Sequence, residues 1–237
     1  MDFDPGPGSE QFTASGYGDA FFSKFTSEGD LVWVRTWGSD YVPYADAGHA
    51  VAVDLSGNVY VTGRFWDIAD LDPGPGVEDH ESNGGYDVFL SKFTPDAVFL
   101  GARTWGGNNA DHSCAVVTDN DGNVFVTGWF SIFADFDPGP GEDIRYAVHQ
   151  EDAFLSKFSS TGDYLWARTW GGKGGILIFD SDHGRSVAVD DLGNAYVAGH
   201  FAGFCDFDPG PAAEYHVSDG YYPDASLGMF PPDGNWW

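Results

Sequence analysis

The phrase Asp-Pro-Gly-Pro begins at Asp4 and returns at Asp72, Asp137 and Asp208, in steps of 68, 65 and 71 residues. A chain that repeats itself at such a period must fold as a series of similar units, each covering its apolar faces against its neighbours. Three further phrases recur in fixed order between these marks. One runs Asp19 to Phe25, Asp87 to Phe93 and Asp152 to Phe158, each closing on Ser-Lys-Phe. Another is Arg-Thr-Trp-Gly at Arg35, Arg103 and Arg168. The last runs from Ala50 to Gly63, with copies at 115–128 and 186–199. The step from Asp19 to Arg35 is 16 residues and is kept in the other two copies. Lengths change only after Arg-Thr-Trp-Gly and after Asp-Pro-Gly-Pro, which marks those places as loops.

The constant segments read as strands. Val-Ala-Val at 51–53 and Val-Tyr-Val at 59–61 flank Asp54-Leu-Ser-Gly57-Asn58, a hairpin turn that wants glycine in a left-handed conformation. Near-continuous apolar strands suit sheets covered on both faces. The expectation is an all-β fold of tandem four-stranded antiparallel blades, β-propeller-like, with about three full repeats and a partial fourth. As sequence units they are cut at 1–18 (the tail of a preceding repeat), 19–86, 87–151, 152–223 and a partial 224–237. Solenoid coils and separate small sandwiches are the competing architectures. The opening residues fall inside a repeat, which suggests a piece of a longer or processed chain.

These phrases, with the Trp-Gly-Gly turn and Ala-Val-Asp-x-x-Gly-Asn-Val-Tyr-Val-Thr-Gly, resemble the bacterial beta-propeller repeat abbreviated SBBP. The resemblance covers nearly the whole chain. It implies a propeller-type fold and a setting in large surface or secreted proteins, and the inserted Phe-Asp-Pro-Gly-Pro-Gly segment departs from the usual unit.

Charge narrows the partners. The chain has 237 residues with 37 acids against 10 bases, a formal net charge of −27. Such a surface repels nucleic acid and anionic lipid, and no apolar run is long enough to cross a bilayer, so neither nucleic acid nor membrane insertion is expected. It attracts divalent cations. Asp70 and Asp72 stand at i and i+2 before Pro-Gly-Pro, as do Asp135 with Asp137 and Asp206 with Asp208. Paired carboxylates on an extended segment offer part of a Ca²⁺ shell. The competing reading is a rigid turn whose aspartates accept backbone N–H groups. Of the 10 bases, Lys24, Lys92, Lys157, Arg35, Arg103 and Arg168 hold repeat-equivalent positions. The arginines are expected to brace Asp46, Asp111 and Asp182 or the repeat-start aspartates. Cys114 and Cys205 sit at non-equivalent positions and read as buried thiols rather than a bridge.

No catalytic constellation emerges. His112 and His183 follow Asp111 and Asp182, yet Ala47 holds that place in the first copy and no nucleophile repeats beside them. Chemistry spread evenly over every unit argues against an enzyme. The expectation is an extracellular or cell-surface structural or adhesive repeat protein, self-associating head to tail and stiffened by calcium. The alternatives are a carbohydrate-binding propeller that takes surface glycans on loop aromatics (Tyr41, Tyr44, Tyr221, Tyr222), and a surface-associated hydrolase.

Overall fold

The computed structural model describes residues 1–173, 181–219 and 222–235; Tyr221 and the final tryptophans lie outside the described residues. The described residues form strands and turns without a helix. β1 (Ala20–Phe25) and β2 (Leu31–Ser39) make a first antiparallel pair. β3 (Ala47–Val53), β4 (Val59–Asp70), β5 (Asp79–Phe93) and β6 (Phe99–Trp105) follow as a four-stranded ladder. β7 (His112–Thr118), β8 (Val124–Asp135), β9 (Ile144–Phe158) and β10 (Tyr164–Lys173) repeat it. The last unit has β11 (His183–Val189), β12 (Ala195–Phe201) and β15 (Asp224–Phe230) in that order.

The hydrogen-bonded blade is out of phase with the repeated phrases. Its inner hairpin comes from the Val-x-Val-Asp-x-x-Gly-Asn phrase of one copy, and its outer two strands come from the Phe-Leu-Ser-Lys-Phe and Arg-Thr-Trp phrases of the next. The Asp-Pro-Gly-Pro segment, which reads in sequence as a loop before a new unit, is the tip of a long hairpin inside one blade. Beyond the bulge at Asp67, β4 and β5 continue pairing, with Ile68 opposite Glu81 and Asp70 opposite Asp79. β8 and β9 do the same beyond Ile132. In the last unit the arm is separate: β13 (Phe204–Asp206) pairs with β14 (Tyr215–Val217). The bulge residue is left-handed in each copy, at φ 61° for Asp67, 63° for Ile132 and 69° for Gly203. That single residue turns the arm out of its blade.

The arm lands on the preceding blade. Gly38 and Ser39 at the end of β2 pair with Asp70 and Ala69, Gly106 bridges Asp135, and β10 pairs with β13. Blades therefore stack face to face, with β7 lying against β3 on one side and β11 on the other. Each gap between blades is an apolar core. The first holds Phe22, Trp37, Phe65, Phe89 and Phe93; the second Trp105, Phe130, Phe136, Phe154 and Phe158; the third Phe125, Trp170, Phe201 and Phe230. A sheet covered on both faces needs apolar residues on both sides of its strands, which explains why the periodicity-two signal is weak in β4 and β8.

Candidate functional site

The feature repeated at every junction is a buried carboxylate. Asp46 accepts the Ser39 N–H at 2.5 Å and the Trp66 N–H at 2.8 Å. Asp111 accepts the Gly107 N–H at 2.7 Å and the Ser131 N–H at 3.0 Å. Asp182 accepts the Gly172 N–H at 3.0 Å and the Ala202 N–H at 2.9 Å. One N–H belongs to the end of the preceding blade and the other to the bulge where the arm departs, so each aspartate ties two blades together. A second carboxylate lies close by: a Cβ on Gly106 would fall within 2.8 Å of both Asp87 and Asp111. Burial pushes Asp87 up to about 7 and Asp152 up to about 6, against the partial relief of backbone N–H donors. Asp111 is likewise raised well above the usual carboxylate range, by burial first and by the charge of Asp87. The Oδ1 atoms of Asp87 and Asp152 are buried without a hydrogen-bond partner, which favours holding a proton there.

The cations cross the same junctions, and not as expected. Arg103 Nε donates to the Gly162 carbonyl at 2.9 Å and Nη1 to the Ala102 carbonyl at 2.8 Å; Arg168 Nε donates to the Gly234 carbonyl at 2.6 Å. Lys24, Lys92 and Lys157 donate to the carbonyls of Pro95, Ser160 and Pro232. The arginines therefore do not brace Asp46, Asp111, Asp182 or the repeat-start aspartates. Arg103 and Arg168 reach forward to the outer turn of the next blade, Arg35 donates to the neighbouring Val34 carbonyl at 2.8 Å, and backbone N–H groups already satisfy the aspartates. In the last unit Met229 stands at the lysine position.

The Asp-x-Asp turns close on themselves. Asp70 Oδ1 accepts the Asp72 N–H at 3.0 Å and the Glu78 N–H at 2.9 Å, and Asp72 Oδ1 accepts the Gly74 N–H at 2.7 Å. Asp135 and Asp137 repeat this with Asp137, Asp143 and Gly139, and Asp206 and Asp208 with Asp208, Glu214 and Gly210. Among the described residues no three His, Cys, Asp or Glu side chains come together as a metal-holding group. The hairpin turns behave alike: Asp54, Asp119 and Asp190 each accept the N–H two and four residues on, and the Asn side chain at the latter position.

The loop aromatics form a band that sequence reading foresaw only in part. Tyr41 and Tyr44 lie parallel at 6.0 Å, and Tyr44 stacks on Trp66 at 4.0 Å. The band continues through Tyr86, with the Arg64 guanidinium 4.1 Å above its ring, to His112, Trp129 and His183. Burial, aided by the Arg64 charge, lowers His112 to about 3, so its imidazole is neutral at pH 7. Tyr222 is apart from this group and 82% exposed. Trp66, Tyr86 and Trp129 carry no motif; only their place on either side of the bulge, legible once the arm is seen, gathers them. Cys114 and Cys205 are both free thiols, and burial pushes both upward in pKa.

Comparison with known proteins agrees with this geometry. Residues 178–200 match the family model of the beta-propeller repeat, SBBP. The chain is also 24% identical over 204 residues to an uncharacterized WD repeat-containing protein of Acanthamoeba polyphaga mimivirus. That alignment takes in 78% of this chain and 14% of the viral protein, so the chain spans about one seventh of its relative's length. The family matched at residues 178–200 is the one that the recurring phrases resemble.

Proposed function

We propose that the protein is a non-enzymatic structural or adhesive repeat scaffold of the cell surface or extracellular space that adds copies of itself head to tail. The observation that carries this reading is the sameness of the junctions. An aspartate clamp, an arm contact and forward-reaching cations recur at successive blades, and a scaffold needs that regularity whereas an active site needs one exceptional place. The large negative charge favours a dispersed, solvated surface and makes assembly dependent on salt. Calcium stiffening rests on Asp70, Asp72, Asp135, Asp137, Asp206 and Asp208. Their engagement with backbone N–H groups supports the turn reading over the metal one, and a melting curve with and without chelator separates them. Negative-stain imaging tests the assembly itself: short curved or linear oligomers are expected, and uniformly monomeric particles at every concentration and salt would overturn it.

Glycan binding is the second reading, supported by the grouping of Tyr41, Tyr44 and Trp66. Flat exposed rings are the surface on which sugar faces stack. A glycan array should then show hits lost in Tyr44→Ala, and an array without hits removes this reading.

A further inference from the structure

Four of the seven histidines and two of the ten bases gather at one end of the inner hairpins, in a chain with 37 acids. They occupy equivalent positions in successive blades. Ala47 lies opposite Arg64, His112 opposite Trp129 and His183 opposite His200. Two residues further on, the first strand of each hairpin bulges, and the bulge residues are His49, Cys114 and Arg185. Because β7 lies against both β3 and β11, these positions become neighbours. The His112 ring is 5.9 Å from His49 and 4.2 Å from Trp129, and His183 is 5.0 Å from Trp129 and 4.8 Å from His200. Arg64 Nη1 stands 3.0 Å from His112 Nε2, and Arg185 Nη1 stands 3.9 Å from Cys114 Sγ.

This rim is positive on a strongly acidic molecule. Among the described residues neither Arg64 nor Arg185 forms an ion pair. The carboxylate at the rim, Glu151, is engaged by His183 Nε2 at 2.8 Å. Asp46, Asp111 and Asp182 each precede a rim position by one residue, but they are buried and accept backbone N–H groups. After burial, the charges that oppose protonation of His112 are those of Arg64, His49, His183 and Arg185. His200 feels His183 and Arg185 in the same sense, with Glu151 acting against them. Arg64 Nε is buried without a hydrogen-bond partner. Two arginines unanswered by carboxylates, in a partly desolvated place, attract an anion. The place is accessible, since His49 and Arg185 are exposed and Arg64, His112 and His200 half-buried.

We propose that the rim formed by Arg64 and Arg185 with His49, His112 and His200 binds a small molecule through an oxyanion, a carboxylate or a phosphate. The guanidinium groups supply charge-assisted hydrogen bonds, and the neutral imidazoles supply N–H donors without adding to the charge that must be balanced. Trp129 has a histidine ring over each face, His112 and His183, so it walls the site and does not stack on the ligand. Large polyanions are excluded, because a net charge of −27 repels them outside this one place. The site goes beyond the scaffold and does not rest on it. The junctions are alike from copy to copy, whereas the rim beside them carries Ala47, His112 and His183 at one position and Arg64, Trp129 and His200 at its partner.

The test titrates the full chain with inorganic phosphate and, separately, with acetate at neutral pH, followed by NMR at a fixed ionic strength of about 0.1 M. Saturable shifts are expected in the imidazole resonances of His112 and His200 and the backbone amides of Cys114 and Arg185. The dissociation constant should lie at about 0.1–5 mM for at least one of the two anions, and whichever binds more tightly identifies the oxyanion. Arg185→Gln should weaken binding at least about fivefold with an unchanged melting curve, because the side chain is exposed. Arg145→Gln removes an arginine paired with Asp143 away from the rim and should leave binding as it was. Linear, unsaturated shifts with both anions overturn the proposal. So does equal affinity in Arg185→Gln and the parent chain, or a loss in Arg145→Gln as large as in Arg185→Gln, which would mark a general charge effect.

Discussion

At Ile132 a β-branched side chain occupies a left-handed backbone position, φ 63°, where the equivalent residues are Asp67 and Gly203. L-residues pay roughly 1–2 kcal/mol there, and the side chain recovers little because it is 53% exposed. Ile132→Gly should therefore stabilise the protein by about 1 kcal/mol, a rise of roughly 2–4 °C in Tm by differential scanning calorimetry; a fall would show that the bulge is held by the side chain. The buried acids make a second residue-scale prediction. Asp87 and Asp152 are raised from 3.8 to about 7 and about 6, so the folded state binds more protons than the unfolded state between about pH 4 and those values. Folding stability is then greatest at the acid end of that window and declines as pH rises through it. The Tm should climb as pH falls from 8 to about 6.5, above the range in which the depressed His112 and His200 act in the opposite sense, and Asp87→Asn should flatten that rise. A profile that rises toward pH 8 contradicts the assignment.

Among the elements, the arginines changed most in meaning between sequence and structure. Their periodic placement is visible in the sequence, but an acid-rich chain suggests carboxylate partners, and the carbonyls of an outer turn leave no mark in composition. Arg103→Ala should cost about 1.5–3 kcal/mol through lost charge-assisted hydrogen bonds to Gly162 and Ala102. Arg103→Lys should not restore it, since one ammonium cannot span both carbonyls; an unchanged urea midpoint for the alanine variant would refute the brace. The strands and hairpin turns were legible because Val-x-Val runs flank Asp-x-x-Gly-Asn and local chemistry decides such turns. The phase of the blade was not, because hydrogen bonding between strands of successive copies depends on which edges meet. Asp-Pro-Gly-Pro reads as a boundary for the same reason: a proline and glycine turn looks alike whether it ends a unit or tips a hairpin. The junction aspartates stand out in the sequence by their constant step of 8 residues to the hairpin aspartates, Asp46 to Asp54, Asp111 to Asp119 and Asp182 to Asp190, but there they read as partners of the arginines rather than as acceptors of backbone N–H groups. Burial, which gives that spacing its purpose, appears only in three dimensions.

For the molecule as a whole, stability comes from stacking, and each blade depends on its neighbour. A net charge of −27 opposes bringing two chains together, so the proposed head-to-tail association should strengthen as salt rises from about 10 mM to 300 mM, where the screening length falls to less than 10 Å. Sedimentation velocity should show the weight-average coefficient rising with salt, and a fall would point to association through ion pairs instead. One junction is used over and over in this protein, with no exceptional place among its described copies. The direct measurement is thermal unfolding of Asp46→Ala, Asp111→Ala and Asp182→Ala under one set of conditions. Each leaves two junction N–H groups without their acceptor, and each should cost about 2–4 kcal/mol, with the three agreeing within about a factor of two. A large loss at one position with no change at the other two would contradict the account and mark that position as serving a different purpose.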